Sequence, residues 1–378
     1  MATLDTLDRL IALPSVSRDP NLEVIGFLQD RLGAIGADVT RIALPGGQKA
    51  GLFARIGPAV DGGILLSAHT DTVPAEGQAW TRAPYRMTRE GGRLYGRGTT
   101  DMKGFVAAML TAAEGAAARP LARPLLLALS WDEELGCLGI PNMVPHLIPA
   151  LGRPEFAVVG EPTLMRIATG HKGKAAYLAT CHGTAGHSAM APNFTNALHL
   201  AADMVQALRA ELDRLAAEGA RDGGYDIPYS TVHAGRLTGG LALNIVPDRA
   251  EIAYEIRALA AEPIDDLAAR IAARAAAITD AFAPGGRIEI AETNRYPGLD
   301  TAPEAPVVTA VAAALTAPGL TKVAYGTEAG FFAALGIPTV VCGPGDMAQG
   351  HQPDEFIAET ELAACDAFLA RLTGQLAA

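Results

Sequence analysis

The sequence is short of several things, and each shortage removes a class of explanation. Only four cysteines occur in 378 residues, Cys137, Cys181, Cys342 and Cys365, with no C-x-x-C spacing. That excludes a disulfide framework and a cysteine-based zinc site, and it points to a reducing, cytoplasmic setting. Positive charge is also scarce: 30 Lys and Arg face 41 Asp and Glu, a net charge of -11. An acidic chain without a basic block offers no footprint for nucleic acid or for an anionic membrane surface. No apolar run reaches membrane-spanning length, and the longest, around residues 124–129, is the size of one strand. The N-terminal residues enter an amphipathic pattern with no basic segment before it, so no signal peptide is expected. Aromatic residues are few, yet 49% of the chain is apolar, a composition of globular α/β proteins rather than of disordered ones.

What is present is a long alternation of strand and helix patterns. At this length two domains are expected. Residues 4–36 read as helical, interrupted at Pro14-Ser15-Val16-Ser17 and ended by Gly36. Short apolar runs at 51–56, 64–66, 124–130 and 156–159 read as buried strands, as in a largely parallel sheet. Residues 104–118 form an Ala-rich helix. From residue 174 the pattern changes to longer strands and helices, about 193–218, 229–238, 249–257, 264–282 and 287–292. This reads as an α+β insertion over 174–294, with the α/β domain made of 1–173 and 295–378. Helices over 306–315 and 359–376 complete the α/β pattern.

In open parallel sheets, sites form at the carboxyl ends of strands. The run Ile64-Leu65-Leu66 leads into Ser67-Ala68-His69-Thr70-Asp71, and His69 and Asp71 share a face because extended side chains alternate. A carboxylate beside a metal-binding imidazole fixes its tautomer, although a plain loop hydrogen bond explains the pair equally well. Asp101, in Gly96-Arg97-Gly98-Thr99-Thr100-Asp101-Met102-Lys103-Gly104, stands before the Ala-rich helix and reads alone as a helix cap. Asp132-Glu133-Glu134 follows a strongly apolar strand, where three adjacent acids demand a compensating cation. Glu161 ends another such strand, and His351 lies in a late loop. Cys137 and Cys342 lie near these segments and read as small buried apolar side chains. Two histidines and three carboxylates exceed one catalytic zinc's needs. They suit two ions sharing a carboxylate, roughly 3.5–4 Å apart, with Glu133 spare as general base.

Taken in order, Ser67-Ala68-His69-Thr70-Asp71, the segment Gly96 to Gly104, Asp132-Glu133-Glu134, Gly160-Glu161-Pro162, Gly186-His187-Ser188 and His351 resemble the dinuclear zinc amidohydrolases and peptidases. That family includes acetylornithine deacetylase, succinyl-diaminopimelate desuccinylase and glutamate carboxypeptidase, and the resemblance covers essentially the full length. It implies a zinc-peptidase-like α/β catalytic domain with a mostly parallel central sheet, and an inserted α+β lid and dimerisation domain. It implies two Zn²⁺, with Co²⁺ or Mn²⁺ as substitutes: one held by His69, Asp101 and Glu161, the other by Asp101, Glu134 and His351. Asp71 would orient His69. Glu133 would take a proton from the water between the metals and pass it to the leaving amine. His187 would steady the tetrahedral oxyanion, reaching in from the partner of a homodimer, where a helix-capping histidine is the plain structural reading. A cis peptide at Asp101-Met102 is also implied.

The resemblance further implies that Asn244 and Arg257 contact a substrate carboxylate, which an arginine fork suits; as structure alone, Arg257 reads as a surface charge. Tyr325-Gly326-Thr327-Glu328-Ala329-Gly330, and Gly343-Pro344-Gly345 with Gln349-Gly350-His351-Gln352-Pro353-Asp354-Glu355, look like the acetylornithine deacetylase branch, with Glu328 meeting a substrate ammonium or ordering the surroundings of the metals. Gly330, where many relatives carry proline, and Asp346-Met347 depart from that pattern and leave the substrate open. The small-molecule substrate expected is an N-acyl amino acid. A broader N-acyl-amino-acid deacylase, a desuccinylase and a dipeptidase share the same metals. A non-catalytic protein on this fold would be expected to lack Glu133 or a ligand, and a two-metal phosphoesterase would need a basic phosphate cradle.

Overall fold

The structure, a computed structural model, describes residues 2–44, 46–282 and 285–378. It divides into two units. One comprises the chain up to Gly170 with Leu299–Val323 and Thr327–Ala378; the other comprises His171–Gly298 with Ala324–Gly326. The division after the insertion falls later than the expected 294/295. The strand begun at Arg287 runs on to Tyr296, in register with the second unit's sheet as far as Lys174.

In the first unit the main sheet runs in the order Asp38–Ala43, Ala50–Ile56, Leu125–Ser130, Ile64–His69, Phe156–Pro162, Thr339–Gly343, Ile167–His171 and Leu299–Asp300, with Leu320–Val323 pairing on Ile167–His171. Its four central strands, from Leu125–Ser130 to Thr339–Gly343, are parallel, and antiparallel pairs close both sides. Every residue of the three central strands 125–130, 64–69 and 156–162 is buried. This explains their continuous apolar runs, since helices cover a parallel sheet on both faces. Helix Gly104–Ala117 is buried along most of its length. Gly160 lets it lie close to the sheet: a Cβ there would stand 2.0 Å from the Phe105 ring.

Some elements had no periodic signal. Helix Ile140–Leu151 contains Pro145 and Pro149, residues that read as helix breakers. Ala329–Ala334 is a short helix. Thr88–Glu90, Arg93–Tyr95 and Phe356–Ala358 form a three-stranded antiparallel sheet that joins segments about 260 residues apart.

The second unit is a four-stranded antiparallel sheet in the order Thr231–Gly239, Arg249–Ala258, Gly173–His182, Arg287–Tyr296. Its strands alternate as a half-covered sheet should: Ala175, Tyr177, Ala179 and Cys181, and Ala250, Ile252, Tyr254 and Ile256, are buried in one core with Leu200, Met204 and Leu208 of helix Ala197–Glu218 and Ile271 of helix Ile264–Ala281. Glu211, fully buried, joins the two helices by accepting hydrogen bonds from Arg214 and Arg270. Among the described residues, no helix is long and apolar enough to cross a membrane.

Candidate metal centre

The parallel register puts three strand ends at one edge. His69 lies beside Ser130, and Gly343 beside Pro162. His69 therefore emerges next to the turn carrying Glu133 and Glu134, and next to Glu161. Asp101 comes from the tight turn Thr99–Lys103 ahead of helix Gly104–Ala117, and His351 from the loop after Thr339–Gly343.

Asp101 stands between the two imidazoles. Its Oδ1 is 3.0 Å from His69 Nε2, and its Oδ2 is 3.2 Å from His351 Nε2. On the first side Glu161 Oε1 lies 3.8 Å from His69 Nε2. On the second, Glu134 Oε2 lies 2.9 Å from His351 Nε2. The N-cap of helix Gly104–Ala117 is Lys103 rather than Asp101, and the Asp101-Met102 peptide is cis. Ligand atoms of His69, Glu133 and Glu161, and of His69, Asp101 and Glu134, each fall within 4.8 Å of one another. His69, Asp101 and Glu161 are buried, and His351 is half-exposed.

These acids are held where few cations neutralise them. Burial pushes the Glu133 and Glu161 carboxyls well above the usual range, and burial with the neighbouring Asp101 charge raises Glu134 to about 7. Hydrogen bonds to Asp101 and Glu134 raise His351 to about 10. Burial works against ionisation of Asp101, but the two imidazoles outweigh it and hold its pKa low. Glu134 Oε1 has no hydrogen-bond partner among the described residues. Buried acids with an idle oxygen, arranged around two imidazole nitrogens, fit divalent ions that take nitrogen and oxygen ligands.

Asp71 does more than face His69. Its backbone carbonyl is 3.0 Å from His69 Nδ1 and its carboxylate 3.5 Å away. The carboxylate accepts hydrogen bonds from the backbone N–H of Glu133 and Glu134, and from the Ser17 hydroxyl at 2.7 Å. The carbonyl oxygen can accept a hydrogen bond from an Nδ1–H, leaving Nε2 toward Asp101 and Glu161. Cys137 is buried with its thiol donating to Glu133 Oε1 at 3.3 Å.

Four further residues take structural roles that the motifs did not assign. Lys49 pairs with Asp132 at the base of the acidic turn. Lys103, buried, donates to the carbonyls of Leu10 and Leu13, and burial lowers its amine to about 7. Ser17, noticed only as part of a helix break, reaches Asp71. Glu355 accepts from the backbone of the Asp101 turn. Their signals lay in single polar residues with no spacing to give them meaning. Glu328 is buried beside this group, and burial raises its pKa to about 7.

The other expected site residues lie in the second unit. His187 is exposed, and its Nδ1 accepts from Ala189 N at 3.1 Å, so the neutral ring carries its proton on Nε2 as a free donor. Gly186–His187 pairs with Ile245–Val246, and Asn244 O accepts from Ser188 N, so Asn244 adjoins His187. Arg257 does not join them. Its Nε donates to Glu255 at 2.8 Å and its Nη1 to the Tyr296 hydroxyl at 3.3 Å.

Residues 65–375 match the profile described as Peptidase family M20/M25/M40. The chain is 34% identical to an acetylornithine deacetylase of Pasteurella multocida, covering 98% of this chain and 97% of the relative. It is 35% identical to an acetylornithine deacetylase of Myxococcus xanthus, covering 97% and 95%. Its fold is similar to that of an M20 family metallo-carboxypeptidase from Sulfolobus solfataricus, with a TM-score of 0.80 at 19% identity and 98% of both chains covered. It is also similar to the aminopeptidase PepT of Bacillus cereus, with a TM-score of 0.78 at 21% identity, covering 99% and 98%. The chain belongs to peptidase family M20/M25/M40 and is a metal-dependent hydrolase.

Proposed function

We propose that the chain removes the acetyl group from N2-acetyl-L-ornithine, giving L-ornithine and acetate, with two Zn²⁺ as cofactors. The observation that carries the two-metal part is the split of Asp101, one oxygen toward each imidazole. The substrate rests on the relatives, acetylornithine deacetylases at 33–35% identity over nearly the whole chain.

His69, Asp101 and Glu161 would hold one ion, and Asp101, Glu134 and His351 the other. When bound, such ions polarise an amide carbonyl and make water a nucleophile near neutral pH. Glu133 accepts the proton of the attacking water and delivers it to the leaving amine nitrogen, and its raised pKa suits that exchange. Asp71, through the backbone N–H groups of Glu133 and Glu134, keeps the acidic turn aimed. The Nε2–H of His187 is the donor for the tetrahedral oxyanion. Asn244 recognises the substrate carboxylate, joined by Arg257 once its Nε and Nη1 leave Glu255 and Tyr296.

Glu328 meets the substrate's side-chain ammonium, and its buried carboxyl, close to Glu133 and with Ser130 as its hydrogen-bonding neighbour, is what supports this role. The test is amine release, read by ninhydrin, from acetylornithine, succinyl-diaminopimelate, acetylated neutral amino acids and dipeptides. Acetylornithine should turn over fastest, and Glu328→Gln should erase most of its advantage over acetylated neutral amino acids. An unchanged preference removes Glu328 from recognition, and a faster dipeptide or succinylated substrate replaces the substrate proposed.

The second unit serves as lid and dimerisation domain. Strand Thr231–Gly239 is an edge of its sheet, and an open edge is a template for pairing with another strand. Near it Leu237, Leu241, Leu243 and Ile245 are exposed, Leu241 by 90%, an apolar concentration typical of an interaction surface. Light scattering on the purified chain should give the mass of two copies. Leu241→Glu with Leu243→Glu should give the mass of one, and a native monomer refutes the dimer. The four free, buried cysteines fit a reducing cytoplasm.

A further inference from the structure

We infer that Glu355 is a positioning residue that sets the His351 side of the metal centre, so that its loss empties that side and spares the His69 side. The inference rests on the two-metal reading above.

The two sides are built differently. His69 and Glu161 belong to strands Ile64–His69 and Phe156–Pro162, central in the main sheet and held by ladder hydrogen bonds. His351 and Asp101 belong to segments without a ladder. His351 is half-exposed and has φ of 61°, a left-handed conformation that non-glycine residues seldom adopt. Asp101, with φ of -122° and ψ of 93°, and Met102, with φ of -134° and ψ of 33°, both leave the helical region inside their turn. Something must hold these two loops against each other.

Glu355, four residues after His351 and buried, does so with both oxygens. Its Oε1 accepts from Thr100 N at 2.9 Å and from Asp101 N at 3.1 Å. Its Oε2 accepts from Gly98 N at 2.9 Å and from Arg97 Nη1 at 2.8 Å. Gly96 N also donates to the Glu355 backbone carbonyl at 2.9 Å. Gly98 has φ of 87°, open to glycine, and this bend helps turn successive N–H groups toward one anion. A buried carboxylate is costly unless its lone pairs are met, and here four donors meet them. The other ties between these segments lie on either side of Glu355: Phe356–Ala358 pairs with Arg93–Tyr95 and the Thr100 hydroxyl donates to the Phe356 carbonyl, while Asp354 accepts from Thr81 and Arg82 and Gln78 Nε2 donates to the His351 carbonyl. Glu355 thus couples the ligand of one ion to the ligand both ions share. Since Asp101 also faces His69, whose strand is fixed independently, a slack turn costs the His351 side more.

Glu355→Gln keeps the size but replaces one acceptor by an NH₂ group that meets N–H donors head-on. The full-length chain, stripped by chelator, is titrated with Zn²⁺ by calorimetry and with Co²⁺ by absorption. The native chain should take up two ions. Glu355→Gln should keep one at near-native affinity and weaken the other by about 10–100-fold, the range found for residues that orient metal ligands. The Co²⁺ spectrum of the second equivalent should change accordingly. Glu355→Asp keeps the charge but shortens the reach, so it should show the same selective loss to a smaller degree, and it decides the matter if Glu355→Gln does not fold. Equal weakening of both ions, or unchanged binding of both, overturns the inference. A native chain that takes up one ion overturns the two-metal reading instead.

Discussion

Glu133→Gln should lower kcat by about 10²–10⁴-fold, the usual worth of a positioned general base, while KM changes little and the metal content stays native. Glutamine has the size of glutamate but cannot accept a proton at the working pH. The backbone of residue 133 would still donate to Asp71, because that bond comes from the main chain. Metal analysis of the purified variant beside its kinetics is the decisive measurement. A Glu133 oxygen lies within 4.8 Å of ligand atoms of His69 and Glu161, so geometry alone also admits a ligand role. A variant that loses an ion along with its activity would make Glu133 a ligand and leave the proton transfer to another group.

Removing the metals should abolish amide hydrolysis and expose the pH dependence that the acids and His351 give to the empty site. Glu134 has a folded-state pKa of about 7 against an ordinary 4.5, and His351 about 10 against 6.5. Both are raised on folding. Each therefore contributes stability that is complete below its unfolded pKa and is lost as pH rises through the folded one. For Glu134 that window runs from about 4.5 to about 7, and for His351 from about 6.5 to about 10. The stripped chain should lose Tm steadily between roughly pH 5 and pH 8. Added Zn²⁺ or Co²⁺ should restore it by an amount that grows with pH, since ions bind the neutral imidazoles and ionised carboxylates that high pH supplies. Differential scanning fluorimetry with and without chelator measures both trends. A stripped chain whose Tm holds or climbs over that interval would show that these groups are not the ones strained in the empty site. Hydrolysis surviving complete metal removal would refute the mechanism itself.

The strand-borne half of the centre was legible because two simple regularities overlap in it. An apolar run of strand length followed at once by a polar residue identifies a strand end, and parallel sheets gather such ends on one edge. His69, Glu134 and Glu161 follow from that, and their neighbours in the motifs fit the same family. The helix over Ile140–Leu151 was not legible, because Pro145 and Pro149 read locally as breakers while packing onto the sheet keeps the helix. The small sheet of Thr88–Glu90, Arg93–Tyr95 and Phe356–Ala358 was missed because three-residue strands carry no measurable period. Lys49, Lys103 and Ser17 stayed silent for a related reason. Each meets partners far along the chain, and a single polar residue has no spacing from which such partners could be read.

By itself the sequence determined which donor atoms reach the sheet edge, the family to which they belong and the alternation of strand and helix that carries them. Those follow from local hydrophobic period and short motifs, which are written in consecutive residues. The family resemblance implied a shared Asp101; only the tertiary structure shows its placement, one oxygen toward His69 and the other toward His351. It also decided that the atom of Asp71 nearest the His69 ring is a backbone carbonyl, its carboxylate being turned to the acidic turn and to Ser17. Side-chain direction at a loop is set by hydrogen bonds to segments far away in sequence, as between Glu355 and the turn at Thr100 and Asp101. Such bonds depend on where the chain has already been brought by its core, and no local pattern encodes that.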